Sequence, residues 1–216
     1  HGRNVMGNNI MMLANGMLPI GKKGEMAAFV KRMWDLEDRE LAKRIAEAQR
    51  VGVIDSGVKA GTVKAQMKDI GTNPKGYLGK SLDKTALTRG GKKLAQKTFQ
   101  LYQDEDNIYK FIHYNKTKDY LTKAFPDKRM DEIIEMAAQR TRDTTPNYNL
   151  VSKSLKSLRR APVGDFLSFP AEMIRVTTNL GRYTLRDIRS GNPVLMREGM
   201  KRLGGMTAAG LGTDMA

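Results

Sequence analysis

The sequence contains no cysteine and almost no histidine, since His1 and His113 are its two imidazoles. Without cysteine the chain forms neither disulfides nor thiolate metal sites, and this absence leaves its redox compartment open. Two histidines so far apart also argue against a zinc centre, which needs several nitrogen or sulfur ligands close together. We therefore expect no metal and no cofactor.

Acidic residues are scarce relative to basic ones, because 23 Asp and Glu stand against 38 Lys and Arg, giving a net charge of +15. Such a balance favours contact with a polyanion, either nucleic acid or an anionic membrane surface. The excess is largest for its length in residues 151–216, where 8 of 11 cations are arginine and 5 residues are acidic. Arginine's planar fork suits phosphate better than lysine does. The alternative is that most of these cations form ordinary solvated helix faces.

Motifs of catalytic sites are also missing. The glycines and lysines of "TRGGKK" at residues 88–93 lack the preceding strand and the spacing of a nucleotide-binding loop. One acidic cluster, Asp104 with Glu105 and Asp106 near His113, has the groups for cation binding or acid–base chemistry. Consecutive helical residues point in different directions, so we interpret the cluster as a solvated face and His113 as a packing or hydrogen-bonding residue. We expect no enzymatic activity from this chain.

Long apolar runs are absent as well, although residues 4–21, "NVMGNNIMMLANGMLPIG", carry no charge. This stretch lacks the basic leader and cleavage pattern of a secretory signal, and its asparagines make it a poor membrane span. We expect residues 1–23 to form an irregular, uncharged strand or loop packed on neighbouring protein, with an interface-seeking segment as the alternative. The chain opens at His1 rather than methionine, and we expect it to be a piece of a longer polypeptide.

What is present is helical periodicity from residue 24 onward. Apolar residues from Ala27 to Ala48 recur at spacings of three, four or seven, which predicts a helix over residues 24–50. Residues 51–91 are rich in glycine and lysine, so they predict a loose connector with a short helix near residues 63–70. A stripe from Leu94 to Leu121 predicts one long helix over residues 92–125, ended by Pro126. The chain thus divides into segments 1–23, 24–91 and 92–216.

The third segment is predicted to be a helical domain throughout. Asp127 offers an N-cap for a helix that buries Ile133, Ile134 and Ala137 and stops before "DTTPNYN". A further helix is expected near residues 150–160. The predicted class is all-α, an extended array of long amphipathic helices with proline-bent corners rather than a compact enzyme fold.

Prolines divide the rest of this domain. Pro162 fits the first turn of a helix, which Pro170 either kinks or divides in two. Asn192 and Pro193 predict the cap and first turn of the last helix. The Pro162 helix is expected to pack on another helix or subunit through one apolar set, namely Phe166, Phe169, Met173, Ile174 and Leu180.

A track of cations follows these helices. Lys153, Lys156 and Arg160 share one face at spacings of three and four, with Arg159 beside them. Four more follow at spacings of seven, four and three, so a continuous helix would present them along one edge: Arg175, Arg182, Arg186 and Arg189. We predict that these eight residues contact nucleic-acid phosphates. The alternatives are ion pairs with carboxylates of neighbouring subunits, or packing along apolar surfaces.

Three stretches between Leu101 and Leu211 resemble a known family. They read "LYQDEDNIYKFIHYN", "AAQRTRDTTPNYNLVSKSLKSLRRAPVGDFLSFPAEMIRVTTNL" and "IRSGNPVLMREGMKRLGGMTAAGL", in that order. Their combination of "TPNY", "RRAPVG", "FPAEMIR" and "SGNP" resembles a domain of the very large internal virion polypeptides of short-tailed bacteriophages. That group includes ejected proteins of the giant virion RNA polymerase type and other large polyvalent phage proteins. Residues 1–90 lie outside the resemblance.

The resemblance implies a protein packaged inside the capsid near the portal and delivered through the tail with or ahead of the genome. It implies portal, internal core or tail proteins as partners, and it carries no catalytic residue onto this chain. Our leading hypothesis is a structural segment of an ejection protein that self-associates into a ring or tube and helps double-stranded DNA enter the host. The alternatives are a DNA-binding accessory domain of a virion RNA polymerase polypeptide and a membrane-active helical protein that contacts the host membrane.

Overall fold

The computed structural model describes residues 10–17, 25–61, 63–65, 67, 91–146 and 164–210, with the backbone alone for 25–27, 34, 91–105 and 164–171. The described chain contains no strand, which confirms the all-α class. Residues 10–14 form a short helical segment, and six longer helices follow. They are α1 (Glu25–Trp34), α2 (Asp38–Arg50), α3 (Gly91–Ala124), α4 (Met130–Thr144), α5 (Gly164–Ile188) and α6 (Pro193–Ala208).

The single helix predicted for residues 24–50 is wrong, because α1 and α2 are separate helices. Glu37, the residue before α2, has φ −57° and ψ 144°, which is not helical. Lys31 and Arg32 occupy the last turn of α1, and acidic residues open α2. Positive charge at a helix C-terminus and negative charge at an N-terminus both stabilise helix ends, so the break lies where the charge sign changes.

The long helix predicted before Pro126 is confirmed, since α3 has 34 residues and spans about 50 Å. The N-cap predicted at Asp127 is wrong, because α4 starts three residues later with Arg129 at its cap and no capping side chain. The helix also continues to Thr144, beyond the predicted stop. Ile133, Ile134 and Ala137 are buried as predicted.

The centre of the fold is the C-terminal half of α3, where side chains on all sides of the helix are buried. Its largest fully buried side chains are Ile108, Phe111, Ile112, Tyr114 and Leu121. They belong to one hydrophobic cluster with residues of α1, α2, α4 and α6. A helix buried all round needs neighbours on every side. Helices α1, α2, α3, α4 and α6 therefore share one core, while Leu180 of α5 packs with Ala14 and Met206 in a second, smaller cluster. The expected extended array is not confirmed.

The segment before α1 contributes to this same interior. Met11, Met12, Ala14 and Met17 are buried within the chain. A Cβ atom at Gly205 would overlap the carbonyl oxygen of Leu13, so only glycine permits this approach. The expectation of an irregular strand or loop is wrong for residues 10–14, which are helical and pack on their own chain.

Part of the predicted connector is also packed. Val53, Ile54, Val63 and Met67 join the hydrophobic cluster, and helical residues begin at Ala60, three positions before the predicted short helix. Residues 68–90 lie outside the described part of the chain. The division into segments 1–23, 24–91 and 92–216 stays a prediction.

Helices α5 and α6 form a hairpin joined by residues 189–192. Helix α5 runs through Pro170, so the predicted start of a second helix there is wrong; Pro162 lies outside the described residues. The cap predicted at Asn192 is confirmed, because its Oδ1 accepts from the Val194 and Leu195 amides at 3.0 and 3.2 Å. A Cβ at Gly199 would lie 2.8 Å from Cγ1 of Ile188, so this glycine allows the two helices to approach closely.

Candidate nucleic-acid interface

The hairpin carries a buried carboxylate that binds two arginines. Asp187 is fully buried, and its two oxygens accept from the two terminal guanidinium nitrogens of Arg140 on α4 at 2.6 and 2.8 Å. Arg202 on α6 also donates to Asp187. The Tyr120 hydroxyl on α3 accepts from Arg140 and Arg202 at 3.1 and 3.3 Å. Two guanidiniums share one carboxylate, so this network links four helices and leaves excess positive charge inside the fold.

Tyrosine rings complete the surroundings of Arg140. The guanidinium lies 4.9 Å from the ring centroid of Tyr183, whose hydroxyl donates to Asp143 at 2.8 Å. Burial, together with that hydrogen bond, raises the pKa of Tyr183 to about 12. Burial alone would lower the pKa of Arg140, but Tyr120 and Asp187 raise it above its ordinary value. Near neutral pH, Tyr183 therefore stays neutral and Arg140 stays charged.

Glu172, another carboxylate of α5, is also buried against an arginine. Glu172 is 3% exposed and accepts from Arg175 at 2.6 and 2.9 Å. The Arg175 guanidinium also donates to carbonyl oxygens of Arg142, Asp143 and Thr145 at the end of α4, at 3.1 to 3.3 Å. These contacts satisfy carbonyls that a helix end leaves without partners. Arg175, predicted to bind phosphate, is thus engaged within the fold.

The other three predicted arginines of this region lie on the outside of the hairpin. Arg182, Arg186 and Arg189 are exposed, and within the described residues none pairs with a carboxylate. Arg186 lies 5.8 Å from the ring centroid of Tyr183. Because α5 is continuous to Ile188, spacings of four and three bring these residues to one side of the hairpin. We call Arg182, Arg186 and Arg189 the outer arginine face.

The remaining predicted site residues are divided between several places. Lys153, Lys156, Arg159 and Arg160 lie outside the described residues, as do the side chains of Phe166 and Phe169. In the predicted packing set, Leu180 is fully buried, Met173 is half-buried and Ile174 is 68% exposed. The hairpin exposes four more apolar side chains, which are Leu185, Met196, Met200 and Leu203.

A basic cleft lies between α1, α3 and the start of α6, and sequence reasoning missed it. Its volume is about 530 Å³. The cations that line it are Arg32, Lys116, Lys123, Arg197 and Lys201, against the carboxylates of Asp119 and Glu198. These cations come from three helices far apart in sequence, so no local spacing indicates them. We call this cavity the basic cleft.

His113 lies inside the molecule and hydrogen-bonds to two neighbouring side chains. Its Nε2 is 2.9 Å from Oδ1 of Asn15, and its Nδ1 is 3.1 Å from Oγ1 of Thr141. An amide oxygen only accepts, so Nε2 carries the proton. Burial, followed by the charges of Arg202, Lys116 and Arg140, lowers the pKa of His113 to about 3. The predicted packing and hydrogen-bonding role of His113 is confirmed.

The acidic cluster beside it is described in part. Asp106 pairs with Lys110 at 2.6 Å, and the side chains of Asp104 and Glu105 lie outside the described set. Within the residues whose side chains the structure describes, no group of three His, Cys, Asp or Glu is arranged to hold a metal ion. Over the same part of the chain, none of the helices combines the length and the apolar character needed to cross a bilayer.

Comparison of the chain with family models, with curated proteins and with solved structures gives no match.

Proposed function

We propose that this chain is a non-enzymatic structural segment of an internal, ejected virion protein of a short-tailed bacteriophage, and that it contacts DNA through the outer arginine face. The observation that carries the DNA contact is the segregation of charge on the α5–α6 hairpin. Between residues 172 and 210 the carboxylates are Glu172, Asp187 and Glu198, with side chains 3%, 1% and 12% exposed. Arg182, Arg186 and Arg189 meanwhile face solvent. Uncompensated guanidiniums on one face suit a row of phosphates.

The location in a virion rests on the sequence resemblance of residues 101–211. In this proposal the protein is packaged inside the capsid, associates with portal, internal core or tail proteins, and reaches the host envelope with the genome. Apolar side chains exposed on the hairpin, among them Ile174, Leu185 and Met200, supply surface for self-association. The extended array of helices, with its proline-bent corners, then arises between copies of the chain in a ring or tube.

A second candidate is a DNA-binding accessory domain of a virion RNA polymerase polypeptide. The basic cleft favours it, because a concave cationic site grips a strand rather than lines a channel. The two candidates differ in assembly. An accessory domain binds DNA as a monomer, whereas a tube segment forms a symmetric oligomer on the portal axis, which imaging of the intact virion distinguishes.

Charge reversal tests the DNA contact. The variant with Arg182→Glu, Arg186→Glu and Arg189→Glu is expected to bind duplex DNA at least about tenfold more weakly at low salt. The slope of log affinity against log salt is also expected to become shallower by about 0.9 for each phosphate that the variant no longer neutralises. Fluorescence anisotropy titrations over a range of salt concentrations measure both quantities.

A charge-matched control variant carries Arg39→Glu, Lys43→Glu and Arg129→Glu, which are exposed cations on other helices and turns. We expect this control to keep most of the wild-type affinity and slope. If both variants weaken binding equally, the protein attracts DNA through its net charge alone and the outer arginine face is not the contact.

A further inference from the structure

The basic cleft differs from the outer arginine face in shape. It is a concave site of about 530 Å³, within the range of about 300–1,000 Å³ typical of pockets that enclose small ligands. A double helix is too wide to enter a cavity of this size, whereas a single nucleotide unit fits. The cleft and the outer face are therefore suited to different forms of nucleic acid.

The walls of the cleft carry positive charge that is free to bind an anion. Arg32 on α1, Lys123 on α3 and Arg197 on α6 are exposed, and within the described residues none of the three pairs with a carboxylate. Glu198, one of the two acids in the lining, is paired with Lys201 at 3.2 Å. Cations from three separate helices suit successive phosphates along a chain better than one isolated phosphate.

Between these cations the lining is apolar. Ala28, Phe29, Pro193 and Val194 contribute aliphatic and aromatic surface, and the ring of Tyr120 adds to it. The Arg32 guanidinium lies 5.4 Å from the ring centroid of Phe29, which holds that cation at the edge of the apolar surface. Pro193 begins α6, so the positive end of this 16-residue helix also lies at the cleft.

We infer that the basic cleft binds a segment of single-stranded nucleic acid of one or two nucleotides. A single strand presents both negatively charged phosphates and flat, largely apolar bases, and the lining of the cleft offers both cations and apolar surface. In a duplex the bases are stacked inside and only the phosphates are presented. This binding goes beyond the proposed duplex contact, because it uses different residues and a different nucleic-acid form.

A crossed pair of variants tests the inference. One variant carries Lys123→Glu with Arg197→Glu in the cleft, and the other carries Arg182→Glu with Arg189→Glu on the outer face. All four side chains are exposed and have no ion-pair partner among the described residues, so both variants are expected to fold. The probes are a fluorescent oligothymidylate of about six nucleotides, a duplex of about 20 base pairs, and vesicles containing phosphatidylglycerol.

We expect the cleft variant to bind the oligothymidylate about tenfold more weakly while its duplex affinity changes less than about threefold. We expect the outer-face variant to bind the duplex about tenfold more weakly while its oligothymidylate affinity changes less than about threefold. Unchanged oligothymidylate binding by the cleft variant overturns the inference, and so does a loss confined to vesicle binding, which would assign the cleft to lipid headgroups. A third outcome is that the cleft variant loses oligothymidylate binding as expected while the outer-face variant keeps its duplex affinity. That outcome contradicts the proposed function and leaves the assignment of the cleft in place.

Discussion

Helix α4 and the α5–α6 hairpin contain the same kinds of charged residue and distribute them in opposite ways. Around α4 the carboxylates of Asp131, Glu132 and Glu135 are exposed and pair with nearby cations, as in Lys128 with Glu132 at 3.2 Å and Arg142 with Glu135 at 2.8 Å. Asp143 is half-buried and accepts from Tyr183 on α5. On the hairpin, Glu172 and Asp187 are buried against arginines, and Glu198 is 12% exposed and pairs with Lys201. Arg182, Arg186 and Arg189 face solvent, and within the described residues none of them pairs with a carboxylate. Unpaired positive charge is therefore exposed on the hairpin, whereas the cations around α4 are paired with carboxylates.

The difference follows from where the partners lie in the sequence. The pairs on α4 join residues four or seven positions apart, and such local pairs form on any helix. Asp187 instead recruits Arg140 and Arg202, which are 47 and 15 positions away. Asp187 is buried because arginines from two other helices converge on it. Its burial removes one negative charge from the surface of the hairpin. In the proposed DNA contact, the burial of acids therefore matters as much as the presence of arginines.

The largest expected effect is on stability and concerns Asp187. Asp187→Asn leaves two buried guanidiniums without a counterion, so we expect the free energy of unfolding to fall by about 3–5 kcal/mol. The matched change Glu132→Gln breaks exposed pairs with Lys128 and Arg129 and should cost less than about 1 kcal/mol. Urea unfolding measures both values. Equal losses in the two variants would show that the hairpin and α4 do not differ in the way described.

A smaller, pH-dependent effect on stability is expected at His113, which is buried near Arg202 of the hairpin and Arg140 of α4. Its pKa is about 3 in the fold against 6.5 ordinarily, so between these values only the unfolded chain takes up this proton. The contribution of His113 is complete above pH 6.5 and is lost as pH falls, by up to about 1.4 kcal/mol per pH unit. His113→Gln should remove that part of the slope when unfolding free energy is measured from pH 7 to pH 4. An unchanged slope would show that burial and the nearby cations do not lower the pKa of His113.

Local sequence signals predicted the parts of the fold that depend on neighbouring residues. Pro126 marked the end of α3, and Asn192 marked the start of α6, because chain stiffness and capping act within a few positions. Spacing along one helix also grouped Arg182, Arg186 and Arg189, whose contact with DNA stays a prediction. Contacts between distant helices were missed. Such contacts engage Arg175 with carbonyl oxygens at the end of α4, where the sequence predicted a phosphate contact.

The basic cleft shows the same limit. Arg32, Lys123 and Arg197 lie 91 and 74 positions apart in sequence, and only the packing of α1, α3 and α6 brings them to one cavity. The burial of Met11, Met12, Ala14 and Met17 within their own chain was missed for a related reason, since nothing in the sequence indicates that Gly205 faces the Leu13 carbonyl. Periodicity identifies which side of a helix is apolar, and it does not identify what covers that side.

Arginine footprinting is the most direct test of the proposed contact between duplex DNA and the outer arginine face. The protein is treated with an arginine-selective dicarbonyl reagent with and without duplex DNA, and the modified positions are identified by mass spectrometry. We predict that duplex DNA protects Arg182, Arg186 and Arg189, while Arg129, whose side chain is 75% exposed, reacts equally in both conditions. Protection of Arg129 to the same degree, or full reactivity of all three hairpin arginines in the complex, would contradict the account.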